Sequence, residues 1–223
     1  MTSDPHRNQP VLAGGRELPG AAGAVILLHG RGASAEEILS LGEEFEHREL
    51  AYLAPQAAGN SWYPYSFLSP IQQNEPWLTS ALNKLAKIIQ DLSHAGIARE
   101  RIVIAGFSQG ACLASEFVAR NAAVYGGLIA FSGGLIGPPG TEFHYGAKLG
   151  GTPAFFGGVD PDTHVPWQRV QESASVLSAL GAEVLLRRYP GMPHAINQEE
   201  FKEARQVIDR VFSATANAAL PPD

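Results

Sequence analysis

The feature that most constrains this chain is a short apolar run that stops at a serine between two glycines. The run covers residues 102–105, and the sequence Gly-Phe-Ser-Gln-Gly follows it at 106–110. A segment rich in Ala and Leu, with helical spacing, begins directly afterwards. A buried strand that enters a helix through Gly-x-Ser-x-Gly makes a tight turn, which holds the serine hydroxyl clear of the backbone at the helix N-terminus. The pentapeptide alone is a weak signal, but its setting predicts that Ser108 is a nucleophile.

The remainder of the chain alternates between apolar runs and amphipathic segments. Continuous apolar runs are typical of strands buried on both faces, and such a run predicts a strand at 24–29. Further strands are predicted at 50–55, 126–131, 153–158 and 184–189. Helices are expected to begin near Ser34, Trp77, Pro166 and Asn197. Residues 11–18 are expected to add a short edge strand. This alternation over one domain, residues 1–223, predicts an α/β fold with a mostly parallel sheet covered by helices on both faces.

Length and composition fit a single globular domain. The 223 residues are 45% hydrophobic and 17% charged, as in ordinary globular proteins. A net charge of −6 without a basic cluster argues against nucleic-acid binding. No apolar run is long enough to cross a bilayer, the N-terminus does not resemble a signal peptide, and the single Cys112 excludes an intramolecular disulfide, so the expected compartment is the cytoplasm. Residues 1–10 and 217–223 are expected to fray.

A serine nucleophile needs a histidine as general base and a carboxylate that orients it. Candidates should lie just after strands, because ligands of such sheets bind at the carboxyl ends of the strands. His194 follows the last predicted strand in the sequence Pro-Gly-Met-Pro-His and is the expected base, whereas His144 lies in an irregular loop. Asp160 and Asp162 both follow the strand at 153–158, and position alone does not choose between them.

An oxyanion hole needs two backbone N–H groups near the nucleophile. The residue after the serine, Gln109, supplies one of them, and the loop His-Gly-Arg-Gly at 29–32 supplies the other. The glycines of this loop let the backbone approach a substrate carbonyl. His29 is expected to shape the loop through local hydrogen bonds rather than to act as a base.

The loop after the second apolar run, residues 56–76, is unusually aromatic. Its rings could pad the surface of the core, but a loop that follows a strand end also suits the wall of a binding pocket. We therefore expect Trp62, Tyr63 and Phe67 to line a substrate pocket. No metal or cofactor site is expected, because the seven histidines form no His-x₃-His pair, and the glycines at 30 and 32 lack the third glycine of a phosphate-binding fingerprint. Cys112 is interpreted as a small core residue.

Five of these stretches together resemble the phospholipase/carboxylesterase family of α/β-hydrolases, which includes the acyl-protein thioesterases and small bacterial esterases. They are Leu-His-Gly-Arg-Gly at 28–32, Trp-Tyr-Pro at 62–64, Gly-Phe-Ser-Gln-Gly at 106–110, Asp-Thr-His-Val-Pro at 162–166 and Gly-Met-Pro-His at 191–194. The resemblance runs from about residue 24 to residue 212. It implies an α/β-hydrolase fold without a large lid domain.

The resemblance also implies roles for single residues. The family's acid is followed by two residues and then an aliphatic-Pro pair, which implies Asp162 rather than Asp160. The second oxyanion N–H is implied to belong to Arg31, and the Trp-Tyr-Pro motif is implied to line the acyl pocket. One departure is that the loop after Phe131 is short and rich in Gly and Pro, where acyl-protein thioesterases shape a long-chain channel.

These features predict a serine hydrolase that cleaves carboxylic esters or thioesters of short-to-medium apolar acyl groups through an acyl-enzyme, with Ser108, Asp162 and His194 as catalytic residues. Two alternatives stay open. One is an acyl-protein thioesterase or lysophospholipase that acts on long-chain substrates, and the other is an inactive hydrolase-fold protein that only binds ligands. The expected partner is a small ester or thioester, without nucleic acid or stable membrane insertion, and a homodimer is an open alternative to a monomer.

Overall fold

The described part of the chain, residues 4–216 of a computed structural model, is built around a seven-stranded sheet. Its strands are β1 (Val11–Gly15), β2 (Gly23–Leu28), β3 (Leu50–Pro55), β4 (Ile102–Phe107), β5 (Gly127–Phe131), β6 (Pro153–Asp160) and β7 (Glu183–Pro190). The strand order is β1-β3-β2-β4-β5-β6-β7. All neighbouring strands are parallel except β1, which runs antiparallel to β3 at one edge. The predicted α/β-hydrolase fold with a mostly parallel sheet is thereby confirmed.

The helices cover both faces of the sheet. They are α1 (Ala35–Leu39), α2 (Leu41–Glu44), α3 (Trp77–His94), α4 (Gln109–Arg120), α5 (Trp167–Ala179) and α6 (Gln198–Ala216). Apolar side chains of α3, α4 and α5 pack on one face, and those of α1 and α6 pack on the other. None of the helices within residues 4–216 combines the length and apolar character needed to span a bilayer.

The central strands are continuous apolar runs because both of their faces are buried. In β2, Ile26 and Leu28 point into the core under α3 to α5, whereas Val25 and Leu27 point into the core under α1 and α6. Each of these four side chains is at most 1% exposed. A strand with this double burial cannot show the alternation of a half-exposed strand, which explains why continuous hydrophobicity identified it.

Parallel strands bring the candidate residues to one edge of the sheet. The strand β4 ends directly before Ser108, and β6 and β7 end shortly before Asp162 and His194. The strand β6 continues two residues beyond its predicted end, so that Asp160 still pairs with Pro190 of β7. The capping box predicted at Ser34 is present, since its hydroxyl accepts from the Glu37 N–H and the Glu37 carboxylate accepts from the Ser34 N–H.

The expectation that residues 1–10 fray is wrong from Asp4 onward. His6 is fully buried, and its ring contacts those of Trp62 and Trp77. The Lys84 amine donates to the carbonyls of His6 and of Gln9, so the segment is fastened to α3. The polar sequence of this segment predicts fraying because the residues that bind it lie more than fifty positions away in the chain. Residues 1–3 and 217–223 lie outside the described part of the chain.

Candidate active site

The turn between β4 and α4 holds Ser108 in a strained conformation. Its φ of 54° and ψ of −116° lie where a residue with a side chain is rarely found. Both flanking glycines are required. A Cβ on Gly106 would lie 2.5 Å from the carbonyl carbon of Gly110, and a Cβ on Gly110 would lie 2.2 Å from the Leu28 oxygen. The strain and the close packing together present the Ser108 hydroxyl at the N-terminus of α4.

Ser108, His194 and Asp162 form a continuous hydrogen-bonded series. The Ser108 Oγ lies 2.9 Å from His194 Nε2, and His194 Nδ1 lies 2.7 Å from Asp162 Oδ2. The His194 side chain is 20% exposed and that of Asp162 only 1%, so the base can reach substrate while its orienting carboxylate is shielded from water. The carboxylate accepts from Nδ1–H, which leaves Nε2 free to take a proton from the serine.

The carboxylate of Asp162 is fixed from its other side. Its Oδ1 accepts from the backbone N–H groups of His164 and Val165, at 2.7 and 3.1 Å. Asp160 instead pairs with the Arg188 guanidinium at the end of the sheet. The structure therefore brings Asp162 to His194 and leaves Asp160 in an ion pair on the rim.

The backbone N–H groups of Arg31 and Gln109 are the predicted oxyanion donors. Neither donates a hydrogen bond to another described residue. Gln109 is the first residue of α4, where an N–H has no intrahelical acceptor. Because Gly110 packs against the end of β2, the loop that carries Arg31 lies beside the same helix end.

His29 shapes this loop, as expected. Its Nδ1 lies 2.8 Å from the Gly30 oxygen, and its Nε2 accepts from the Ala57 N–H at 3.1 Å. Since the Gly30 oxygen can only accept, Nδ1 carries the proton of a neutral ring. Burial lowers the pKa of His29, which favours that neutral form. The ring is 0% exposed and is absent from the lining of the candidate cleft.

The side chains of the two oxyanion residues hold the aromatic loop. Arg31 Nη1 donates to Ser61 Oγ and to the Pro64 oxygen, each at 2.9 Å. The Gln109 amide bridges the backbone from the other side, since its Oε1 accepts from the Trp62 N–H at 2.9 Å and its Nε2 donates to the Tyr63 oxygen at 2.8 Å. The donors for an oxyanion and the wall of the pocket are therefore parts of one hydrogen-bonded unit.

An open cleft of about 640 Å³ surrounds Ser108 and His194. Tyr63 and Phe67 line it, as predicted. Trp62 does not, because it is fully buried behind the loop and its Nε1 donates to the His29 oxygen. Its prediction as a pocket residue is corrected to a supporting role. Pro64 lines the cleft, as the resemblance implies. The residues of the lining that the sequence does not indicate are Tyr65, Phe107, Thr163, His164 and Val165.

Several of the missed residues carried a usable signal. Phe107 and the segment from Thr163 to Val165 are direct neighbours of the predicted nucleophile and acid, so proximity in sequence could have placed them in the site. Cys112 lies one helical turn after Ser108 and also lines the cleft. Burial raises the pKa of its thiol to about 12, so it remains an unreactive core residue at neutral pH. Within residues 4–216, no three His, Cys, Asp or Glu side chains are grouped to hold a metal ion.

Known proteins show the same organisation. A family model described as phospholipase/carboxylesterase matches residues 17–212. The crystal structure of a phospholipase/carboxylesterase from Dyadobacter fermentans is 44% identical, with a TM-score of 0.86, and the match covers 90% of this chain and 96% of that one. A probable carboxylesterase SOBER1-like protein from Arabidopsis thaliana is 29% identical over 87% of this chain and 81% of its own. Acyl-protein thioesterase 1 from Gibberella zeae is 32% identical over 54% of this chain and 52% of its own. The chain belongs to the phospholipase/carboxylesterase family of α/β-hydrolases.

Proposed function

We propose that this protein is a serine hydrolase that cleaves carboxylic esters or thioesters through a covalent acyl-enzyme. The observation that supports this most strongly is the hydrogen-bonded series from the Ser108 hydroxyl through His194 to the buried carboxylate of Asp162. In such a series the imidazole removes the serine proton while the carboxylate orients the ring and stabilises the imidazolium that forms. Membership of the phospholipase/carboxylesterase family supports the same class of reaction.

In the first half-reaction, Ser108 Oγ attacks the substrate carbonyl carbon and His194 Nε2 takes the hydroxyl proton. The tetrahedral intermediate collapses when Nε2 gives that proton to the leaving oxygen or sulfur, and the acyl group stays on Ser108. Water then attacks the acyl-enzyme and loses a proton to His194. The carboxylic acid leaves as Ser108 regains its proton.

The backbone N–H groups of Arg31 and Gln109 stabilise the negative charge that develops on the carbonyl oxygen. Each donor of this kind contributes on the order of a few kcal/mol to the transition state. These donors must be held in position, because the free energy needed to reorient them would offset much of the stabilisation of the transition state. The side-chain bonds of the same two residues to the aromatic loop supply that rigidity.

The lining of the cleft favours a short-to-medium apolar acyl group. Tyr63, Phe67 and Val165 present apolar surface to it. The loop rich in Gly and Pro after β5 does not extend the cleft, because the lining includes no residue of 132–151. It packs behind the aromatic loop instead, where the Gly137 N–H donates to the Phe67 oxygen at 2.8 Å. A long-chain thioesterase or lysophospholipase remains the second candidate, since one relative is named acyl-protein thioesterase 1.

Hydrolysis of p-nitrophenyl butyrate by three purified proteins tests the reaction class. The wild type should turn over the ester, Ser108→Ala should lose this activity, and Asp162→Asn should lower kcat about 10⁴-fold because His194 then adopts the wrong tautomer. Asp160→Asn is the matched control and should keep kcat within about threefold, since Asp160 pairs with Arg188 away from His194. Equal rates for the wild type and Ser108→Ala would instead support an inactive, ligand-binding protein.

A rate series over p-nitrophenyl esters from acetate to palmitate, with an acyl thioester beside it, tests the substrate class. We expect kcat/KM to peak between butyrate and octanoate and to fall towards palmitate. A maximum at palmitate would replace this proposal with the long-chain reading. The cytoplasmic compartment stays a prediction. Light scattering of the purified chain distinguishes directly between a monomer and the alternative of a homodimer.

A further inference from the structure

The N-terminal segment 4–10 lies outside the part of the chain that the family model matches, which begins at residue 17. It nevertheless contributes a side chain to the inner side of the aromatic loop. His6 is 0% exposed, and its ring centroid lies 5.5 Å from that of Trp62 and 5.4 Å from that of Trp77. A buried imidazole must have hydrogen-bond partners, because burying its nitrogens without them would cost free energy of folding.

Both ring nitrogens of His6 bind the backbone of the aromatic loop. Nδ1 accepts from the Ala58 N–H at 3.0 Å, and Nε2 lies 3.0 Å from the Trp62 oxygen. The carbonyl can only accept, so Nε2 carries the proton and the ring is neutral. One imidazole thus spans residues 58–62. The backbone N–H of His6 donates to Ser80 Oγ at 3.0 Å and fixes the ring to α3.

The segment that His6 holds is the one that joins the pocket to the oxyanion donors. The Gly32 N–H donates to the Asn60 oxygen at 2.8 Å, and Ser61 accepts from the Arg31 guanidinium. Gln109 binds the backbone of Trp62 and Tyr63. His6 supports this unit from the side opposite to the cleft, so its loss would shift the pocket wall without removing a group that touches substrate.

The surroundings of His6 disfavour its charged form. Burial lowers its pKa, and the nearby Lys84 amine on α3 and the His29 ring lower it further, whereas the hydrogen bond to the Trp62 oxygen and the charge of Asp4 act in the opposite direction. Protonation would turn Nδ1 into a donor that faces the Ala58 N–H, and that bond would be lost. At low pH the loop therefore loses one of its anchors.

We propose that His6 is a positioning residue: through it, the segment 4–10 holds residues 58–63 in the conformation that binds the acyl group. This inference rests on the proposed esterase function. The consequence is a substrate preference that depends on pH. Esters whose acyl group fills the pocket should lose affinity as His6 is protonated, whereas acetate, which leaves most of the pocket empty, should be affected less.

The test compares KM and kcat for p-nitrophenyl hexanoate and p-nitrophenyl acetate between pH 5.5 and pH 8.5. His6→Ala removes both ring hydrogen bonds to the loop and should raise KM for the hexanoate about tenfold, with kcat for the acetate changed less than about threefold. His6→Gln keeps a donor in reach of the Trp62 carbonyl but does not titrate, so it should restore much of the affinity. The matched control is His144→Ala, a histidine whose side chain is 83% exposed, and it should leave both esters unchanged.

The ratio of kcat/KM for the two esters is the decisive quantity, because any effect of pH on the chemical step that both esters share cancels in it. Because burial lowers the pKa of His6 from the ordinary histidine value, the ratio in the wild type should fall at the acid end of the series, and in His6→Gln it should stay flat. A ratio that is constant with pH in the wild type, or that still falls in His6→Gln, overturns the proposal. This comparison remains available even where His6→Ala does not fold.

Tryptophan fluorescence separates this inference from the proposed function. Because His6 contacts Trp62 and Trp77, its protonation should quench emission in the wild type and not in His6→Gln. Identical titration curves for the two proteins would contradict the placement of His6. If neither ester reacts while the curves differ, the esterase function fails and the role of His6 as an anchor of the loop stands.

Discussion

Two loops beside the candidate site are anchored by opposite kinds of groups. The backbone of the aromatic segment 57–63 is bound by neutral side chains, namely the rings of His6 and His29 and the amide of Gln109. The Arg31 guanidinium binds only the Ser61 hydroxyl within this segment, and its other bonds go to the carbonyls of Pro64 and Tyr65 beyond it. The Gly- and Pro-rich segment 135–138 is bound by buried charges, namely the guanidinium of Arg169 and the carboxylate of Glu116. Arg169 Nη1 donates to the oxygens of Leu135 and Gly137, and Nη2 donates to the oxygen of Pro138. The Ile136 N–H donates to Glu116 Oε2.

The difference concerns how each loop responds to its conditions. A guanidinium stays charged at every pH at which a protein folds, so the three bonds that Arg169 donates to segment 135–138 do not change with pH. A neutral imidazole that accepts from a backbone N–H loses that bond when it is protonated. The loop that faces substrate is therefore held in part by two imidazoles that lose a bond on protonation, whereas the Arg169 bonds to the loop behind it are permanent.

The largest expected effect is on the fixed loop. Arg169→Met removes the donors to three backbone oxygens while keeping an apolar stem, and we expect a loss of about 3 kcal/mol in the free energy of unfolding. The loss should be the same at pH 6 and pH 8, as measured by urea denaturation. The matched control is Arg187→Met, whose partly exposed side chain meets Glu203 at 3.4 Å, with an expected loss below about 1 kcal/mol. If Arg169→Met lost as little stability as the control, the bonds of Arg169 would not be what stabilises segment 135–138.

The buried carboxylate of Glu200 makes the free energy of unfolding depend on pH. This contribution must be removed before the contribution of a histidine can be measured. Glu200 is 0% exposed, its Oε1 has no partner among the described residues, and burial raises its pKa to about 7. The folded state binds this proton more tightly than the unfolded state, so stability falls as pH rises from the ordinary value of 4.5 towards 7. Glu200→Gln should therefore gain about 2 kcal/mol at pH 8 and little at pH 4.5.

Urea denaturation of Glu200→Gln and the wild type at both pH values measures this difference. Glu199→Gln is a suitable control, because Glu199 is an exposed neighbour on the same helix turn. The Glu200 prediction is wrong if Glu200→Gln is destabilised at pH 8 by as much as at pH 4.5. That outcome would mean that the bonds of Glu200 to Asn197, at 3.4 and 3.5 Å, outweigh the cost of its burial.

The amide of Gln109 tests the aromatic loop without titration. Gln109→Leu leaves the backbone N–H group in place but removes the two bonds to Trp62 and Tyr63. We expect a loss of about 2 kcal/mol in stability and about a tenfold loss in kcat/KM, both independent of pH. A pH-dependent loss would show that another group titrates with the loop. Unchanged kcat/KM would show that the oxyanion donors do not depend on this support.

The smallest expected effect comes from His29 and is visible only in its pH dependence. Burial lowers its pKa, so the unfolded state binds the proton more tightly and stability is lost as pH falls below the ordinary value of 6.5. In the Glu200→Gln background, His29→Gln should reduce the loss between pH 7 and pH 5.5 by about 1 kcal/mol, which is the value of one hydrogen bond. An unchanged slope would mean that the Ala57 N–H does not depend on His29.

The parts of the fold and site that the sequence predicted are those with local signals. The central strands are continuous apolar runs, and Ser108 directly follows one of them, whereas three residues separate His194 from Pro190, the end of the edge strand β7. Asp162 could be separated from Asp160 only by resemblance to a family, because the distinction depends on a pairing with Arg188 that the sequence does not reveal. In the structure, the hydrogen bond of Asp162 to His194 and the ion pair of Asp160 with Arg188 distinguish the two residues without reference to a family.

The parts that could not be predicted depend on contacts between distant segments. The partners of His6 lie 52 and 56 positions away in the sequence, and nothing in the polar segment around it indicates burial. Trp62 was assigned to the pocket because it is aromatic and adjacent to Tyr63. Its true position is decided by the bond of its indole N–H to the His29 oxygen, which turns the ring into the core.

Labelling with a fluorophosphonate, followed by intact-mass measurement and peptide mapping, tests the assignment of the nucleophile most directly. The strained turn and the Ser108–His194 hydrogen bond predict one adduct per chain, located on Ser108, and none in Ser108→Ala. An adduct on any other residue, or equal labelling of the wild type and Ser108→Ala, would contradict it.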